Sequence, residues 1–279
     1  MTRWLDEPSA SDADVPEYLH PRLPGVWSGI GTVVLYFALQ FGLALAMGAL
    51  VGVTIAVGYA VSAGIHHVKV DPAVIQHLTQ SADARVVSIV LTLVAAAAVM
   101  LLFIHRCWGS LWTVARPPGL GFSRPANSWY FPLAIVAGVA AVFLGGLLAH
   151  ALAGSNAPKQ DVSLWARSVS MGLRVPLALV TVCIAPLVEE LIFRGVLLSG
   201  LMRRMHVGWA ALLTALIFGC AHLPDFDFAW YPVPTLVLFG LLLVWLRLKS
   251  RSLWPAVTAH ATNNLVAVIG WFVIVHPHP

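Results

Sequence analysis

Polar residues along this chain are bunched, leaving long apolar stretches between short polar ones. No Asp, Glu, Lys or Arg falls between Gly25 and Ile65, between Val86 and Ile104, or between Pro125 and Pro158. Crossing a hydrocarbon core of ~30 Å takes about 20 helical residues, so two of these intervals exceed a membrane span and one just meets it. The first is twice the necessary length, which predicts one long tilted helix or a helix with a turn-rich extension. The full pattern predicts spans over 27–60, 86–105, 130–153, 173–203, 208–223, 230–247 and 253–275, with Pro186 interrupting the fourth. The expected fold is therefore all-α, a polytopic membrane helical bundle of seven to eight transmembrane helices. Trp27, Trp108, Trp129, Trp230 and Trp254 stand near predicted ends, where an amphipathic ring suits the headgroup region. The inverted repeats of many transporters are not visible.

Composition agrees with the pattern. Of 279 residues 59% are hydrophobic and 10% charged, against about 25% charged in a soluble domain. Residues 1–24 carry Asp6, Glu7, Asp12, Asp14 and Glu17, unlike a secretory signal with its basic start and apolar core. They are expected to form a solvated tail, with the membrane helical domain at 25–279. The net charge of +4 is scattered over helix ends, which argues against a nucleic-acid partner. Cys107, Cys183 and Cys220 lie in or beside apolar spans and are expected to be packing residues, with no disulfide.

Basic residues suggest an orientation. With a cytoplasmic N-terminus, the inside segments hold Arg3, Arg22, Arg106, Arg116, Arg124, Arg203, Arg204, Arg247, Lys249 and Arg251. The outside segments hold only Lys69, Arg85, Lys159, Arg167 and Arg174. The positive-inside rule then favours N-in and C-out.

Against this background the stretch PLVEELIFRG, residues 186–195, stands out, with three charges inside an apolar run. A charge at the bilayer centre costs about 2.5–3.5 kcal/mol on insertion scales, so it persists where it pairs or lines a wet cavity. On a helix Glu190 and Arg194 are four apart on one face, acid before base, the favoured order for an ion pair. Glu189 is left without that partner and is the acid available to accept a proton as a general base. A packing network that merely orients helices is the competing reading, and the second acid counts against it.

Two further polar sites lie in the same half. IFGCAH, 217–222, puts Phe218 and His222 on one helical face, and AHATNN, 259–264, puts His260 and Asn264 one turn apart. A carboxylate with an imidazole can hold and deprotonate a water, while a second imidazole and an amide can donate to the oxyanion formed at a carbonyl. That is equipment for peptide hydrolysis inside a membrane. Cys220 with His222 as a thiol protease is disfavoured, because residues two apart on a helix point away from each other.

The order EELIFR, FGCAH and HATNN (E-E-x-x-x-R, F-x-x-x-H, H-x-x-x-N) resembles the three motifs of the CAAX-protease and bacteriocin-processing (CPBP) family. This group includes type II CAAX prenyl proteases and the bacterial Abi proteins. The likeness covers about residues 170–275, the expected protease-like core. It implies an intramembrane endopeptidase acting on membrane-associated proteins or peptides in a lipid bilayer, in a chain that looks like a bacterial plasma-membrane member. By the same resemblance, Glu189 would activate water with His222, and His260 and Asn264 would stabilise the oxyanion. Glu190 and Arg194 would be the supporting pair, with Phe218 beside them. No cofactor is expected; the alternative is zinc, which would take Glu189, His222 and His260. The competing functions are a non-catalytic scaffold or bacteriocin-immunity protein and a proton-coupled transporter. Substrate identity and oligomeric state are not fixed by these residues.

Overall fold

The computed structural model describes residues 22–153, 166 and 168–273, among which all regular secondary structure is helical. Most of the tail expected over 1–24 lies outside the described residues. The main elements are α1 (Val26–Ile65), α2 (Pro72–Thr79), α3 (Ala82–Trp108), α4 (Tyr130–Ala153), α5 (Met171–Met202), α6 (Val207–Ala221), α7 (Pro232–Ser250) and α8 (Trp254–Val273). Local chemistry sets several starts. Asp71 accepts the amide of Ala73 at 2.8 Å and Pro72 opens α2, while Ser81 accepts the amide of Ala84 at 3.2 Å to open α3. The chain is an integral membrane protein built as a helical bundle.

Five helices, α1, α3, α4, α5 and α7, are long and apolar enough to cross a membrane. Seven such spans were expected, and the two that differ do so for visible reasons. Helix α6 has 15 residues, about 22 Å at 1.5 Å per residue, short of a ~30 Å core. Helix α8 is 20 residues long but interrupts its apolar run with His260, Thr262, Asn263 and Asn264. Helix α1 is one continuous helix of 40 residues with no turn-rich extension. Pro186 does not interrupt α5 either. The helix widens into π-turns at Val180–Ile184 and Leu191–Leu197, and the first lies just before the proline. A wider turn accommodates a ring that would otherwise strike the carbonyl four residues back.

The expectation for the cysteines holds in part. Cys107, Cys183 and Cys220 are free thiols, as expected, but exposed on the outside of the bundle instead of packed in it. In a membrane the outer face is itself apolar, so a small sulfur side chain is not driven inward.

Arg247 was counted among loop cations, yet it is fully buried. It donates to the carbonyls of Ala115 and Gly119, each at 2.7 Å, and so clamps the segment after α3 onto α7. Leu253 donates to the carbonyl of Gly121 at 2.7 Å and Ser252 to that of Ser123 at 2.6 Å, which fixes the same segment against the α7–α8 turn. Gly121 has φ +83°, and a Cβ there would lie 2.6 Å from Cζ of Arg247. Gly121→Ala is therefore expected to destabilise the protein by about 1–3 kcal/mol. Gly146→Ala, where a Cβ meets nothing within 4 Å, is expected to leave the melting temperature in detergent at or slightly above wild type. A melting comparison of the two variants checks both.

Candidate active site

Helix α5 supplies the two acids. Glu190 Oε1 accepts from Arg194 Nη1 at 3.0 Å, and both side chains are fully buried. The expected ion pair is therefore formed, and it extends further than the spacing alone indicated. The same oxygen lies 2.9 Å from His260 Nδ1, on α8. Arg194 Nη2 donates to the carbonyl of Gly240, on α7, at 3.2 Å. Its guanidinium carbon stands 4.4 Å from the centre of the Phe218 ring, a cation–π distance.

Glu189 faces a different environment. Its Oε2 is 3.8 Å from His222 Nε2 and 3.8 Å from His260 Nε2. The side chains of Glu189 and His222 keep 15% and 16% of their exposure, against 0% for Glu190. Depth explains how three helices bring these groups together. Glu189 is six residues before Gly195, whose Cβ position meets Leu120 in the segment after α3. His260 is seven residues after Leu253, which is bonded to that segment. Both groups therefore lie about 10 Å from it along their helices. Helix α5 runs on past this level, and α6 returns only far enough for its C-cap, His222, to end beside Glu189.

Tautomers follow from fixed neighbours. His222 Nδ1 lies 2.8 Å from the carbonyl of Phe218, an acceptor only, so Nδ1 carries a proton, and in the neutral imidazole Nε2 is then the acceptor that faces Glu189. His260 Nδ1 likewise donates to the Glu190 carboxylate. The His260 ring sits between Phe218 and Phe239, with centroids 5.8 and 5.6 Å away in edge contacts. Phe218 thus touches Arg194, His222 and His260 at once.

Asn264 occupies a place that its sequence neighbours did not announce. Its Nδ2 donates to the carbonyl of Thr181 at 2.9 Å. In the π-turn, Ala185 N–H bonds to the carbonyl of Val180, five residues back. The next donor in that register would be residue 186, and proline has none. Asn264 fills the acceptor that Pro186 leaves open, which holds one of its two N–H groups and fixes the side chain.

A cavity of about 890 Å³ joins the site, walled in part by Glu189, Phe218, His222, Phe239, His260 and Asn264. Gln40 and Asp225 also reach it, and neither was recognised in the sequence. Gln40 was detectable as an amide in the middle of a 40-residue uncharged helix; Asp225, in a loop, carried no such signal.

Zinc is the metal that this kind of motif set raises. Tetrahedral ligands about 2.0–2.2 Å from zinc are roughly 3.3–3.5 Å apart. The 3.8 Å separations from Glu189 are wider than that, and among the described residues no group of three His, Cys, Asp or Glu is spaced to hold a metal ion. As placed, the donors do not fit one.

Buried paired charges stand here beside a carboxylate–imidazole cluster, inside a polytopic helical bundle. Residues 171–266 match the family model described as Rce1-like, type II CAAX prenyl endopeptidase Rce1-like. That match, over about a third of the chain, carries all three motifs and supports a CAAX-type intramembrane protease at the level of the family. It implies a protein or peptide substrate in a membrane setting. No curated protein and no solved structure matches the chain.

The two acids should separate in stability. Glu190→Gln strands Arg194 and weakens the hold on His260, and is expected to cost about 3–5 kcal/mol, as for breaking a buried pair. Glu189→Gln removes a charge with no short hydrogen bond among the described residues and should melt close to wild type. Thermal melts in detergent in which Glu189→Gln is the less stable variant would reverse the assignment.

Proposed function

We propose that the protein is an intramembrane endopeptidase that cuts membrane-associated proteins or peptides with water activated by Glu189. The observation that carries this reading is the placing of Glu189 Oε2 and His222 Nε2, two acceptors 3.8 Å apart on a cavity wall. Two acceptors do not bond to each other. A water about 2.8 Å from both would subtend roughly 85° at its oxygen and could donate one hydrogen to each. Its remaining lone pairs would then face the cavity.

In the proposed step the water oxygen attacks the scissile carbonyl carbon while Glu189 takes its proton. The carbonyl oxygen becomes an oxyanion, met by His260 and by the second N–H of Asn264. Glu189 then delivers the proton to the leaving nitrogen as the C–N bond breaks. For His260 to donate from Nε2 while Nδ1 bonds Glu190, it must carry both protons. Glu189→Gln should abolish cleavage, read as loss of peptide products from membranes that wild type processes. A scaffold or immunity protein would keep its phenotype in that variant.

The proposed reaction needs no metal. If Glu189 and His260 bound zinc, no free carboxylate would remain as base, since Glu190 is held by Arg194, and Asn264 would be left to stabilise the oxyanion alone. Purified protein is expected to stay active in EDTA. About one zinc per chain by elemental analysis, with activity lost on chelation and restored by Zn²⁺, would sink the metal-free scheme.

The orientation proposed is N-in. Cysteine labelling of intact cells should find the segment near Arg116 and residues 249–251 protected, and the α1–α2 connection near Lys69 accessible. The opposite labelling pattern would show that the charge count misled, as the buried Arg247 already shows for one of its members.

A further inference from the structure

Glu189 is placed by its helix, but its carboxylate is not yet held in one orientation. Its two imidazole neighbours stand 3.8 Å from Oε2, too far for a hydrogen bond. The arginine of the same helix is taken up by Glu190. Helix α1 approaches from another side. A Cβ on Gly200 would strike the Gly25 carbonyl, and one on Gly29 would lie 3.0 Å from Cα of Leu197, so α1 and α5 run antiparallel. Tyr36 is seven residues on from Gly29, and Glu190 and Glu189 are seven and eight back from Leu197. Each path covers about 10–12 Å, which brings the phenol level with the two acids.

Gly25, Gly29, Thr32, Tyr36 and Gln40 recur three or four apart and form one stripe of α1. Tyr36, 3% exposed, is the last buried residue of that helix before Ala63. Gln40, one turn on, already lines the cavity together with Glu189. The Tyr36 hydroxyl is hydrogen-bonded to the Gln40 side chain, and the charges that reach it are those of Glu189 first and Asp225 second. Asp225 is engaged elsewhere as well. An arginine in this place would grip the carboxylate but make it a poorer base, since an opposite charge favours the ionised form. A phenol and an amide are both uncharged at neutral pH, and each has hydrogens to donate.

We infer that Tyr36 and Gln40 are positioning residues for Glu189. Gln40 donates to the phenol oxygen, which leaves the phenol O–H to serve the Glu189 oxygen that does not face His222 and His260. That donor fixes the turn of the carboxylate, and so decides which oxygen takes the proton from water. The consequence for catalysis rests on the proposed hydrolysis. The pair itself lies on a helix outside residues 171–266, so the first half of the chain contributes to the site.

The test reads the Glu189 carboxylate directly, by infrared difference spectroscopy on the full chain in nanodiscs. The carboxylate bands that Glu189→Gln removes belong to Glu189. In Tyr36→Phe, which keeps the ring and its packing, those bands should shift while the melting temperature stays close to wild type. Gln40→Leu, at a half-buried position on the cavity wall, should shift them the same way by less, and it carries the test if Tyr36→Phe does not fold. Release of the membrane peptides whose cleavage depends on Glu189 should fall about tenfold or more in Tyr36→Phe, the scale of a hydrogen bond to a charged group. Glu189 bands that stay in place would overturn the inference, and a fall in melting temperature without a shift would mark a packing role alone. A shift confined to the bands that Asp225→Asn removes would also overturn it, since the hydroxyl would then serve that acid. Shifted Glu189 bands in a protein that releases no peptide in a Glu189-dependent way would uphold the pairing and sink the hydrolytic reading instead.

Discussion

A single carboxylate oxygen ties the bundle together. Glu190 Oε1 holds Arg194 at 3.0 Å within α5 and His260 at 2.9 Å from α8, and Arg194 passes the link to α7 through the Gly240 carbonyl. Lipid tails are as apolar as leucine, so helices in a bilayer are joined by close packing and by polar contacts between them. The packing here is correspondingly tight. A Cβ at Gly138 of α4 would collide with the carbonyl of Ala259, the residue before His260. The groups that position His260 are thus also the ones that hold its helix in the bundle.

The irregular turns of α5 belong to the same arrangement. A regular α-helix through Pro186 would leave the carbonyl four residues back without a donor; the π-turn moves the vacancy to Thr181, within reach of Asn264. A proline on one helix therefore sets the side-chain position of an asparagine on another.

Much of the site was legible because its chemistry is costly in a membrane. Glu189, Glu190, Arg194, His260 and Asn264 stand out against their apolar neighbours, and helical spacing alone paired Glu190 with Arg194. Spacing within one helix cannot report a partner on another, so the Glu190–His260 contact and the Gly240 carbonyl were not visible. Residue charge likewise does not reveal burial: Arg247 reads as a loop cation and is in fact the clamp of the segment after α3. Hydropathy found the long helices but overstated α6, because the apolar run continues into the turn that carries His222.

That short helix has a consequence for the membrane around it. At about 22 Å against a hydrocarbon thickness of ~30 Å, α6 leaves some 8 Å of its lipid-facing flank without a matching helical wall. The bilayer must thin there, or its polar boundary must dip inward to meet the end of the helix. Since that end is His222, beside Glu189, hydrophobic mismatch draws solvent toward the cavity wall that these two side chains share.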